Sequence, residues 1–208
     1  MTFPRRSPLS GRKPTRDELA QFANATIDDV IADDTKILVV GINPGLWTAA
    51  VNAPFAHPGN RFWPSLEASG LMPYRVDATR GLSDDDLAVF TGRGFSLTNL
   101  VSRATARADE LTTAELKEGR QHLEQLAEQL QPKVIAIVGI TAYRAAFDEK
   151  KAVMGKQERM IAGAEVWVLP QPSGLNAHAP LPVLAEWWRQ VGEAAGMEPS
   201  ARQTVTSG

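Results

Sequence analysis

The stretch Lys36-Ile-Leu-Val-Val-Gly-Ile42 is apolar almost throughout, rich in β-branched side chains, and runs without a break into Asn43-Pro44-Gly45. A strand without polar alternation has both faces covered, as the interior strands of a parallel sheet do. Parallel strands need long crossovers, which are usually helices. The rest of the chain supplies both. Phe95-Ser-Leu-Thr-Asn-Leu-Val101, Val134-Ile-Ala-Ile-Val138 and Glu165-Val-Trp-Val-Leu169 are further short strand candidates. Leu116, Leu123, Leu126, Ala127 and Leu130 fall on one face of a helix over 113–131. Leu184, Trp187, Trp188, Val191 and Ala195 do the same in a helix that begins just after a proline. Helical residues are also expected after Arg61 and after Thr141. Strands separated by helices predict a three-layer α/β/α domain around a short, mainly parallel, four-stranded sheet.

The 208 residues suit one domain with a proper core and are too few for two comfortable ones. That domain is expected over 15–196. Before it, residues 1–14 read as a flexible basic arm; after it, residues 197–208 lack apolar periodicity and read as a disordered tail. Cysteine is absent. This excludes disulfides, thiolate metal sites, iron–sulfur clusters and thiol nucleophiles, and it favours a cytoplasmic address. No apolar run approaches the roughly 18–20 residues of a membrane span, and the N-terminal charges have no apolar stretch behind them, so neither a membrane partner nor a secretory signal is expected. The three histidines, His57, His122 and His178, include no pair at metal-ligand spacing, so no catalytic metal is expected. A net charge of -2 does not announce a nucleic-acid binder. Residues 1–16, however, hold Arg5, Arg6, Arg12, Lys13 and Arg16 and no acid. Such an arm suits phosphates, or is simply a solvated tail.

Ligands of open α/β sheets bind beyond the carboxyl ends of the strands. Two such ends carry unusual loops. In Gly41-Ile42-Asn43-Pro44-Gly45, glycines permit close approach of the backbone to a ligand, and Pro44 biases Asn43 away from the helical region. One polar side chain is thereby held at the mouth of the sheet. In Pro170-Gln-Pro-Ser-Gly-Leu-Asn-Ala-His178, Leu175 stands between small or polar neighbours, which is odd unless it inserts into something. Taken alone, the first motif is also an ordinary tight turn, and a loop leucine also tucks back onto its own core.

Four motifs occur together: GINPG at 41–45, PFAHPGNRFW at 54–63, FSLTNLVSRAT at 95–105 and PSGLNA at 172–177. In their order and spacing the chain resembles the mismatch-specific uracil/thymine-DNA glycosylases, family two of the uracil-DNA glycosylase superfamily, over roughly residues 36–192. The resemblance implies a catalytic role for Asn43, which would bind the attacking water, with Thr105 helping to hold it. It implies that Ile42, Gly45, Thr48, Phe55 and Asn99 bind the substrate. Ile42 would contact the base through its backbone, Asn99 would hydrogen-bond it, and Phe55 would stack on it. For Thr105 and Asn99 an ordinary strand-end turn is the alternative, and for Phe55 packing under its own loop. Ser173, Gly174, Leu175 and Asn176 would face DNA, with Leu175 as the wedge that fills the gap left by an extruded nucleotide and the backbone of Gly174 and Asn176 meeting the orphaned guanine. Ala177 stands where the family often has arginine; the neighbouring His178 either replaces it or is a surface histidine. Gly45 replaces a tyrosine that closes the C5 side of the pocket in strictly uracil-specific relatives, and Thr48 narrows that space again.

An amide orients water but is a poor base, which a glycosidic hydrolysis tolerates when the leaving base is well stabilised. No lysine lies in the two loops, so a water-using, monofunctional enzyme is expected rather than a lyase. The expectation is a monomer without cofactor or metal that extrudes uracil or a related damaged or mismatched pyrimidine, especially opposite guanine, from double-stranded DNA and leaves an abasic site. The alternatives are a non-catalytic DNA-damage binding module of the same fold, and a nucleotide hydrolase. The latter lacks a Walker lysine and a GxGxxG pattern, and it gives Leu175 no task.

Overall fold

A computed structural model describes residues 6–200. Among them the elements run α1 (Arg16–Leu19), β1 (Ile37–Gly41), α2 (Leu46–Val51), α3 (Phe62–Ala68), α4 (Asp84–Gly92), β2 (Phe95–Asn99), α5 (Thr113–Leu130), β3 (Val134–Val138), α6 (Ile140–Phe147), β4 (Gly155–Ile161), β5 (Ala164–Leu169) and α7 (Leu181–Ala194). The sheet order is β2-β1-β3-β5-β4. β1 lies parallel to both β2 and β3, and β3 parallel to β5.

Successive residues of the interior strands bury on opposite faces. Ile37 and Val39 join one core with Val134, Ala136 and Val138, while Leu38 and Val40 join the other with Ile135 and Ile137. The first core is closed by Phe62, Trp63 and Leu66 of α3, Phe90 of α4 and Trp188 and Val191 of α7. The second is closed by Leu116, Leu123 and Ala127 of α5 and Tyr143, Ala146 and Phe147 of α6. This is the three-layer α/β/α arrangement that doubly covered strands demand.

The expectation of four strands needs correction. A fifth, β4, pairs antiparallel with β5 at the sheet edge, so the sheet is mixed. Its sequence, Gly-Lys-Gln-Glu-Arg-Met-Ile, carries little apolar signal because Lys156, Glu158 and Met160 lie on an exposed face. A register irregularity between Lys156 and Met160 further blurs the alternation. The turn joining it to β5 holds Ala162 and Gly163 at φ 49° and 80°, the left-handed pair that a two-residue hairpin requires. The helix α4 was also not anticipated, although Ser83 caps it by accepting the amide of Asp86, and three acids occupy its first turn.

Residues 1–5 of the expected arm and 201–208 of the expected tail lie outside the described residues. Of the remainder, Arg12 pairs with Glu18 at 2.5 Å, Met197 is buried, and the amide of Ser200 donates to Gly70 O at 2.7 Å.

Candidate active site

The carboxyl ends of β1 and β2 are in register, Gly41 opposite Asn99. A β-carbon on Gly41 would lie 2.4 Å from Asn99 Oδ1 and 3.6 Å from the ring of Phe55. Glycine at 41 keeps the strand end clear for the Asn99 amide and the Phe55 ring. They open into a cleft of about 610 Å³ whose walls include Ile42, Asn43, Gly45, Thr48, Phe55, Asn99 and Thr105 on one side and Ser173, Gly174 and Leu175 on the other. Ten of the eleven residues singled out from the sequence thus share one cleft. The eleventh, Asn176, lines an adjoining cleft with Ile42 and Gln171.

Asn43 is the fixed centre of this cleft. Its Nδ2 donates to Thr105 Oγ1 at 2.8 Å, Arg103 O at 3.0 Å and Pro44 O at 3.2 Å. The Thr105 hydroxyl gives its own proton to Arg107 O at 2.7 Å. All three neighbours of Nδ2 therefore act as acceptors, and the reversed amide would set Oδ1 against two carbonyl oxygens. The Oδ1 end is left to the cleft, with no donor bonded to it among the described residues. It can accept a hydrogen from water. Thr105 is 3% exposed, and its backbone amide bonds Pro44 O at 3.1 Å, so the two strand-end turns are tied together. This geometry casts Thr105 as the group that orients Asn43, because its only proton is already committed.

Phe55 sits at φ 54°, a left-handed conformation uncommon for a bulky residue. One face of its ring stacks on the buried Phe62, centroids 4.2 Å apart and planes 26° from parallel. The half-buried ring also borders the cleft, so packing against its own core and offering a stacking face are combined in one side chain. Thr48 anchors this turn: its carbonyl accepts Ala53 N at 3.2 Å, and its hydroxyl lies 3.4 Å from Ala56 N. Gly45 differs from Gly41. Its backbone is extended, at φ -77° and ψ 165°, and a β-carbon there would meet nothing within 4 Å. Glycine at 45 leaves room in the cleft and serves no need of the backbone.

Leu175 is 96% exposed, on a loop that is nonetheless tightly held. Arg61 donates to Gly174 O at 2.9 Å, Asn176 O at 3.0 Å and Ala179 O at 2.9 Å. Asn176 Nδ2 bonds Gln171 O at 3.0 Å and its Oδ1 accepts His178 N at 3.2 Å. A β-carbon on Gly174 would lie 2.5 Å from Gly59 O, so only glycine lets the loop seat against the 57–61 segment.

The sequence reading passed over His57, Asn60 and Gln171, which also line the cleft, and Arg61, which braces its far wall. The clue for Arg61 was its place inside PFAHPGNRFW; nothing local announced a partner more than a hundred residues away. Electrostatically the cleft is unusual in that no Asp or Glu lines it among the described residues. One carboxylate is tied to the site through the backbone that holds Asn43. Glu115 pairs with Arg103 at 2.5 Å and caps α5 through Thr112, and these contacts, the Arg103 bond first, hold its carboxyl down at about 2. Arg103 is the residue whose carbonyl receives Asn43 Nδ2.

The sequence profile of the uracil DNA glycosylase superfamily matches residues 29–192. Among solved structures, a candidate uracil DNA glycosylase from Methanosarcina acetivorans, determined in solution by NMR, is similar to this chain at 18% identity and a TM-score of 0.54. The match covers 81% of this chain and 98% of that one. At this identity the likeness is one of fold.

Proposed function

Since the chain belongs to the uracil DNA glycosylase superfamily, we propose that it is a monofunctional, mismatch-directed DNA glycosylase that extrudes uracil, above all opposite guanine, and hydrolyses the bond between base and deoxyribose. The observation that carries this reading is the locked Asn43 amide, its nitrogen held by three oxygens and its Oδ1 turned to a cleft that also holds a stacking ring. Water donates one hydrogen to Oδ1 and presents its oxygen to C1′ of the extruded nucleotide. As the C1′–N1 bond breaks, its electron pair leaves with the base, water oxygen bonds C1′, and the surplus proton passes to solvent. The products are the free base and an abasic site.

The lack of a carboxylate in the cleft among the described residues fits this division of labour. A strong base would be needed if water attack led the reaction, whereas a departing anionic base calls for donors around the leaving group. On this reading the Asn99 amide and the backbone at Ile42, both lining the cleft, supply them. Phe55 replaces the stacking that the base loses, and Leu175 fills the vacated position in the duplex. Space at Gly45, narrowed by Thr48, admits pyrimidines substituted at C5. The enzyme acts as a monomer on double-stranded DNA.

The test is a base-release panel: duplexes carrying uracil, thymine, ethenocytosine or hypoxanthine opposite each normal base, with alkaline cleavage revealing abasic sites. Uracil opposite guanine is expected to be released, and Asn43→Ala is expected to lower that rate at least ~10²-fold, the scale of losing a group that positions a reactant. Tight binding to these duplexes with no base release on any of them would leave a damage-binding module instead.

A further inference from the structure

Arg61 has no task in the chemistry above, and it makes no ion pair among the described residues. Its guanidinium instead spans the 170–180 loop, taking the carbonyls of Gly174, Asn176 and Ala179, while its backbone amide takes that of Pro172 at 2.8 Å. Four carbonyls of one loop are thus gathered by one residue.

Building on the glycosylase reading, we infer that Arg61 is the positioning residue of the wedge, holding Leu175 at a fixed distance from the base-stacking ring of Phe55. The connection is short. Arg61 precedes Phe62, on which Phe55 stacks, and Gly59 of the same segment lies against Gly174. Wedge and stacking ring therefore belong to one rigid body rather than to two loops that find each other on DNA.

An exposed leucine on a free loop would have to be ordered each time it entered a duplex. A loop already ordered avoids that entropy at the moment of insertion. Arginine suits the task because its planar fork presents several donors in fixed directions, so carbonyls at 174, 176 and 179 are reached from one head group. Lysine carries the same charge on a single point and cannot span them. The brace stands apart from Asn43, so the inference separates presentation of the wedge from the bond-breaking step.

The experiment uses Arg61→Lys and Arg61→Gln in the full chain. The first measurement is hydrogen exchange in the DNA-free protein at the amides of Leu175, Asn176, His178 and Ala179, all hydrogen-bonded within the loop. Exchange there is expected to quicken by about tenfold or more, the ratio carried by losing charge-assisted hydrogen bonds of ordinary strength, with the amides of β1 and β3 unchanged. The second is single-turnover uracil release from U·A and U·G duplexes, alone and combined with Leu175→Ala. A residue that acts through Leu175 costs more on U·A than on U·G, and it costs little further once Leu175 is gone. Unchanged loop exchange, exchange quickened throughout the fold, or losses that multiply with those of Leu175→Ala would each overturn the inference. Quickened loop exchange in a protein whose wild type releases no uracil would leave the brace standing and remove the glycosylase reading. Should neither Arg61 variant fold, Gly174→Ala, whose β-carbon meets Gly59 O, displaces the loop from the other side and is expected to give the same pattern.

Discussion

Replacing Thr105 with valine keeps the shape of the side chain and removes one oxygen. That oxygen makes two bonds, accepting from Asn43 Nδ2 at 2.8 Å and donating to Arg107 O at 2.7 Å. Asn43 then keeps only the two longer restraints, to Arg103 O and Pro44 O. A neutral hydrogen bond in a folded protein is worth about 1 kcal/mol net, and about 1 kcal/mol corresponds to roughly a fivefold change in the share of Asn43 amides aimed at the cleft. Single-turnover release of uracil from a U·G duplex should therefore fall about five- to tenfold, with half-saturation little changed, because only the reacting water loses its guide. Thr105→Ser, which retains the hydroxyl, should stay within about twofold of the wild type on the same argument. Thr105→Val in an Asn43→Ala background should cost almost nothing more, since the group it orients has been removed. Gel quantification of abasic sites with enzyme in excess measures the wild type, the two Thr105 variants, Asn43→Ala and the double variant. A folded Thr105→Val protein with wild-type rate would refute the orienting role. A full further loss in the Asn43→Ala background would show instead that the hydroxyl holds water directly.

Three further outcomes are expected. Thr48→Ser removes one methyl while sparing the hydroxyl near Ala56 N, and it should raise thymine release relative to uracil by up to about tenfold, the scale on which one methyl discriminates; an unmoved ratio places that methyl away from C5. Leu175→Ala should lose more activity on U·A than on U·G, with fluorescence of a 2-aminopurine beside the target reporting fewer extruded bases, whereas equal losses with unchanged fluorescence would deny the wedge. The Glu115 carboxyl, held near 2 when folded, against about 4.5 when free, adds stability that is complete above the free value and is lost as pH falls from there through about 2. Glu115→Gln should therefore flatten the decline of urea midpoint across that window relative to wild type, and parallel declines would remove Glu115 from the acid response.

β1 and β3 were legible because each writes its burial in uninterrupted apolar residues, and β2 and β5, although broken by Ser96, Thr98 and Glu165, also stand where the sequence placed them. The edge strand β4 was not, since its outward face is charged and its inward positions include Gly155 and Gln157. The site was legible as a set of loops and illegible as a set of orientations. Asn43 could be placed at a strand end from Pro44 alone, but which way its amide points depends on Thr105 and Arg103, about sixty residues on. Phe55 offered two readings, packing under its own loop or stacking on a base; the ring packs on Phe62 and also borders the cleft, so the first does not exclude the second. The Arg61 brace joins segments 113 to 118 residues apart, a separation at which periodicity and turn chemistry carry no information.

Gly174 is fixed by a backbone carbonyl, Gly59 O, that a side chain would strike, so the fold itself enforces it, whereas a side chain at Gly41 would meet only the Asn99 amide and the Phe55 ring of the cleft. Gly45 is under no such control: its backbone angles suit any residue and the space beyond it is empty. Fitness of the chain to fold and breadth of what the cleft admits are therefore inherited separately at this position. If the glycosylase reading holds, bulk added at 45 would narrow the range of bases with no compensating change in the core. On the proposed reading, position 45 is an aperture that can be resized while the scaffold around it stays constant.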